Sequence, residues 1–130
     1  MSVWTHVAAV FRVDAVRPLG VGNRNWDEIF GKECPWDADH DTWDDQSKNP
    51  DKYLPMGSEG SLKIIVWDNP EKSSLAAYTV TVFGDLRGYD DVDAIGKWFD
   101  EACSKTWIRQ AVCHAVCENG VTKVWKCGGE

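Results

Sequence analysis

Three constellations in this 130-residue chain carry side chains able to do chemistry. The first is a run of carboxylates, Asp37-Ala38-Asp39-His40-Asp41, followed by Asp44 and Asp45 and interleaved with Trp36 and Trp43. Carboxylates at alternate positions of a bendable loop are how calcium is commonly held. Here the sixth position is Thr42 where an EF-hand loop needs glycine, and the twelfth is Lys48 where it needs glutamate, so that pattern fails. Another role remains for Trp36, Asp37, Asp39, Asp41, Trp43, Asp44 and Asp45 as a partner-binding set. An acidic surface can occupy a basic groove by imitating phosphate charge, and tryptophan anchors interfaces. The plainer alternative is a solvated acidic loop pinned down by its aromatic rings.

The second constellation is Cys103, Cys113, His114, Cys117 and Cys127. Zinc sites usually include a close pair such as C-x₂-C. Cys113 and Cys117 are four apart on an expected strand, which separates their Cα atoms by about 13 Å, and His114 points to the opposite face. Buried thiols are the simpler account, and no metal or cofactor is expected. The third constellation is polar. His6 and His114 can share one sheet face with Trp4, Arg12, Thr79 and Thr81, and Arg24 closes a Gly20-Val-Gly-Asn-Arg24 loop ahead of a helix start. Together Trp4, His6, Arg12, Arg24, Thr79, Thr81 and His114 are a ligand-binding set suited to a small anion or nucleotide. The same two histidines support the rival reading of a small proton-transfer enzyme. The chain offers no nucleophile motif, no dinucleotide fingerprint and no Walker loop to go with them.

These residues must be positioned by elements that the sequence pattern suggests. Residues 3–13 alternate with apolar residues on both faces, which predicts a central strand. Asn25-Trp26-Asp27-Glu28 is a helix start of capping-box type, cut short by Gly31. Residues 32–60 are acidic, hold Pro35, Pro50 and Pro55, and show no sustained period, so they read as a long loop. Residues 62–67 and 76–83 are strands joined by a hairpin loop at 68–74. Asp90 or Asp91 caps a helix whose stripe is Val92, Ile95, Phe99, Ala102 and Cys103. Residues 108–117 and 121–126 form a last hairpin, with Asn119-Gly120 suited to a type I′ turn.

The order is β-α-β-β-α-β plus an edge strand. It resembles the ferredoxin-like split β-α-β arrangement. The expected fold is therefore α+β, a single domain over residues 1–130. Its antiparallel sheet gains a C-terminal edge strand, and a long acidic insertion at 32–60 follows the first helix. In such a fold helices cover one sheet face. The small residues Ala111, Cys113, Ala115 and Cys117 assign the covered face. The other face, with Trp4, His6, Arg12, Thr79, Thr81 and His114, is left for the insertion or a partner to cover. The opening Met1-Ser2-Val3-Trp4-Thr5-His6-Val7-Ala8 strand, the small size, the acidity and the eight tryptophans resemble small non-enzymatic proteins of tailed bacteriophages. That resemblance implies a counter-defence factor in the host cytoplasm that occupies a host protein or sequesters a signalling ligand.

Charge narrows the partners. The net charge is −7, so direct binding of DNA or RNA through the whole surface is disfavoured. Residues 31–60 hold eight acids against three lysines, while residues 1–24 hold one acid against three arginines. No apolar run approaches the roughly 20 residues of a membrane span. Five cysteines and the absence of a signal-like opening point to a reducing, cytoplasmic setting. The sequence thus leads to a non-enzymatic binding protein whose partner is a host protein or a small anionic or nucleotide ligand. A homo-oligomer is a natural form for the ligand-sequestering version. Pairing of copies through the last edge strand is a structural alternative.

Overall fold

Strand β1 (Trp4–Val16) occupies the middle of the sheet, as its two apolar faces require. The computed structural model describes residues 3–16, 25–68, 75–89 and 91–128. After β1 come α1 (Trp26–Ile29), α2 (His40–Lys48), a 3₁₀ turn (Pro50–Lys52) and β2 (Leu62–Asp68). Then follow β3 (Leu75–Arg87), α3 (Val92–Ser104), β4 (Ile108–Cys117) and β5 (Thr122–Gly128). The five strands form one open sheet in the order β2-β3-β1-β4-β5, with every neighbouring pair antiparallel. The fold is α+β. No described helix is long and apolar enough to cross a membrane.

One face of this sheet is covered and holds the core. Val7, Ala9, Phe11 and Val13 of β1 lie there with Val80 and Val82 of β3 and Ala111, Cys113, Ala115 and Cys117 of β4, all buried. The small β4 side chains let α3 approach, as their size suggests. α3 contributes Val92, Ile95, Phe99 and Ala102, the stripe its periodicity marks. Phe11 is the hub. Its ring meets Phe30 at 4.7 Å, Phe99 at 5.3 Å and Trp98 at 5.9 Å, joining β1 to both helical segments. Burying such a side chain contributes about 2–3 kcal/mol. The Trp98 indole N–H is satisfied by the Phe30 carbonyl at 2.6 Å. The one buried polar side chain among the described residues, Thr5, donates to the Tyr89 carbonyl.

The insertion differs from a plain loop. It holds α2, whose start is fixed by Asp39 accepting from the Thr42 N–H at 2.8 Å. The helix escapes sequence periodicity because none of its nine residues is buried, so it has no apolar stripe to display. The insertion buries Cys34, Tyr53 and Leu54, and Leu54 joins the core on the covered side of the sheet. Tyr53 donates to Asp45 at 2.6 Å, and Asn49 donates to the other Asp45 oxygen at 3.0 Å. Glu33 accepts from the Ile64 N–H at 2.6 Å, covering part of the outer edge of β2 with a carboxylate.

The helix caps are Asn25, whose side chain accepts from the Glu28 N–H at 3.4 Å, and Asp91, which accepts from Ala94 N–H at 3.3 Å. Asp90, the hairpin loop at 69–74 and the Gly20–Arg24 loop lie outside the described residues. The β4–β5 turn is not type I′. That type needs positive φ at two central residues, but Asn119 has none and only Gly120, at φ 101°, does. Instead Gly120 N–H bonds the Cys117 carbonyl at 3.0 Å and Cys117 N–H bonds Val121 carbonyl at 2.8 Å. This is a three-residue loop in which a type I turn is followed by a glycine bulge. The Asn119 side chain accepts from Val121 N–H at 3.0 Å, which holds the turn locally.

Candidate binding face

The second face of the sheet carries no described helix or loop across it. The strand registers set out its side chains in rows. One row runs Lys63, Phe83, Ala8, His114, Val124 from β2 to β5. The next runs Ile65, Thr81, Val10, Val112, Lys126, and the third Trp67, Thr79, Arg12, Gln110. Val10, Ile65, Trp67, Phe83, Val116 and Val124 are all exposed there, with Trp67 at 54% and Ile65 at 49%. Scattered apolar residues are ordinary on a surface, but a contiguous apolar sheet face is not.

The sequence-derived ligand set is largely gathered on this face. Trp4, His6, Arg12, Thr79, Thr81 and His114 all project from it, while Arg24 lies outside the described residues. They do not form one cluster. His6 pairs across β1–β4 with Val116, and His114 pairs with Ala8, so the two histidines are diagonal neighbours. Both His6 ring nitrogens are engaged, Nδ1 with Asp85 at 2.7 Å and Nε2 with Glu118 at 3.3 Å. The Asp85 hydrogen bond raises the His6 pKa above its ordinary value; desolvation opposes it, and Glu118 adds to the rise. Glu118 also accepts from the Trp4 N–H at 3.1 Å. This end of the face is acidic and tied together.

The other end is basic. A concavity of about 800 Å³ is lined there by Val10, Arg12, Thr79, Arg109, Gln110 and Lys126 together with neighbouring backbone. Its volume falls in the range of small-molecule sites. The register of β1 against β4 shifts between Arg12 and Val13, so that Arg12 opposes Gln110 and Val13 opposes Ile108. Arg109 is the extra residue of this bulge. A bulge re-aims a side chain, and this one brings Arg109 to the concavity beside Arg12. Arg12 Nε donates to Asp14 at 3.0 Å, so one carboxylate accompanies three cations.

Three of these residues escape sequence reasoning. Strict alternation along β4 puts Arg109 on the covered face with Ala111, and the bulge has no local sequence signal. Lys126 reads as a charge protecting an edge strand, and Trp67 as a core candidate. The tryptophans divide between core and surface. Trp26 packs on Phe30 and Tyr78, and Trp98 and Trp125 are half-buried against the core.

The acidic partner-binding set separates under the geometry. Asp39 caps α2, Asp44 pairs with Lys48 at 3.0 Å, and Asp45 holds Tyr53 and Asn49. Hydrogen bonds keep the Asp39 and Asp45 pKa values below the ordinary carboxylate range, Asp45 chiefly through Tyr53 and Asp39 through Thr42. Asp37 and Asp41 are left facing solvent, with Asp41 4.0 Å from the equally exposed His40. Trp43 sits on exposed α2, and Trp36 is 84% exposed, so Trp36 does not pin the insertion. Among the described residues no three His, Cys, Asp or Glu side chains converge as a metal ion requires. Cys113 lies buried, its thiol pushed up to about 12 by desolvation. Comparison with protein-family models, with curated proteins and with solved structures gives no match.

Proposed function

We propose that this chain is a non-enzymatic binding protein that holds its ligand or partner on the open face of its sheet. The observation that supports it is the uncovered apolar surface of Val10, Ile65, Trp67, Phe83, Val116 and Val124, running into a concavity with three cations. Leaving that much apolar surface in water is costly, and burial under a partner recovers roughly 25 cal/mol per Å². The split β-α-β, ferredoxin-like reading is consistent with this use. It rests on the β-α-β-β-α-β order with both helical crossovers contributing to one covered face. A counter-defence role in a phage-infected cell is the biological form of the proposal, carried by the opening-strand resemblance.

The test is native mass spectrometry of gently purified protein, wild type against an Ile65→Ser/Trp67→Ser/Phe83→Ser variant whose fold is checked by circular dichroism. The proposal expects a bound partner, adduct or assembled form in the wild type that is missing in the folded variant. Identical spectra would sink it.

A second reading is favoured by one observation, the 84% exposure of Trp36 beside the solvent-facing carboxylates Asp37 and Asp41. Here the insertion docks a basic surface on a host protein. Trp36→Ala with Asp37→Asn and Asp41→Asn tests it without touching the cap and the Tyr53 contact that Asp39 and Asp45 make.

A further inference from the structure

We propose that the basic end of the open face is a nucleotide site, in which Arg12, Arg109 and Lys126 take the phosphates and Trp67 stacks on the base. The inference rests on the open-face reading and names its ligand class. Trp67, Thr79, Arg12 and Gln110 lie side by side on β2, β3, β1 and β4, one residue per strand. Trp67 and Arg12 are therefore two strand spacings apart, about 10 Å, which the sugar and phosphate of one nucleotide bridge. Thr79 stands between them as a hydroxyl partner for the sugar, and Gln110 offers an amide beyond Arg12. Lys126 pairs with Val112, one row up from Gln110, and Arg109 enters from the bulge. The floor is apolar, Val10 and Val112, as a base or ribose face prefers.

Charge selects a small ligand over a strand. Three lining cations, one of them accompanied by Asp14, suit one or two phosphates. A long polyanion would meet Asp85 and Glu118 at the far end of the same face and a chain of net charge −7. Arg109 is exposed, and among the described residues its guanidinium has no partner. A bulge that spends a strand position to put a second arginine beside Arg12 makes no evident contribution to the core.

The experiment is calorimetric titration of the whole chain with ADP, GDP, CDP and UDP, with pyrophosphate, and with a twelve-nucleotide single-stranded RNA. At least one nucleoside diphosphate is expected to bind and to quench tryptophan fluorescence. Arg109→Ala should weaken it about tenfold or more, and Trp67→Ala about fivefold or more. Pyrophosphate should bind more weakly than the best nucleotide. Absence of binding by all four nucleotides overturns the proposal, as does affinity unmoved by both substitutions. Pyrophosphate equal to the nucleotide removes the stacking role and overturns it too. RNA binding tighter than every nucleotide overturns it in favour of a strand-binding surface. If the nucleotides fail while the Ile65/Trp67/Phe83 variant still loses its partner in the mass spectrum, only the nucleotide site falls. If both fail, the open-face reading falls with it.

Discussion

Gly96 of α3 lies directly against the indole of Trp125 in β5, so close that a Cβ on Gly96 would sit 2.4 Å from Cε2 of that ring. This contact seats the helix on the last two strands and keeps the Trp125 side chain on the covered face. Glycine inside a helix costs about 1 kcal/mol relative to alanine, so its presence here reflects the space the ring needs. Gly96→Ala should therefore destabilise the protein by about 1–3 kcal/mol despite its better helix propensity. Urea unfolding measures this. A gain in stability would show that Trp125 can move aside without cost.

His6 gives a pH dependence of definite sign. Its pKa is raised in the fold, first by Asp85 and then by Glu118, so folding favours the protonated ring. The stabilisation is complete below the unfolded value near pH 6.5 and is lost as pH rises through the folded value. Wild type should lose more stability than His6→Gln between about pH 6 and pH 9. Parallel stability profiles for the two proteins would count against the pairing.

Glu33 predicts association behaviour. Its carboxylate accepts from Ile64 N–H on the outer edge of β2. Glu33→Ala should cost about 1 kcal/mol and leave that edge open to other chains. Sedimentation velocity should show concentration-dependent association for Glu33→Ala and less for Glu33→Gln, which keeps an acceptor oxygen. Equal sedimentation of all three would mean that the contact does not guard the edge.

Much of the scaffold is legible in the sequence because burial leaves a period. The alternation of β1, the small face of β4 and the stripe of α3 all record contact with one core. α2 leaves no such record, since it buries nothing, and only its Asp39 cap hints at a helix start. The open face was readable as a set of positions, since Trp4, His6, Arg12, Thr79, Thr81 and His114 follow from alternation. Its chemistry was not. The register shift beside Arg12 overrides alternation and delivers Arg109, and no residue type in β4 announces it. The placement of Asp45 in a structural hydrogen bond also depends on where Tyr53 comes to rest, which composition does not encode.

The open sheet face is the proposed binding surface. Hydroxyl-radical footprinting of the chain, in lysate of the cell that makes it and again after purification, reads that face residue by residue. Trp67 and Phe83 are expected to be protected in the lysate and to become reactive once purified free of their partner, while Trp36 is reactive in both. Protection of Trp36 with Trp67 and Phe83 reactive throughout would contradict it and assign the binding to the acidic insertion.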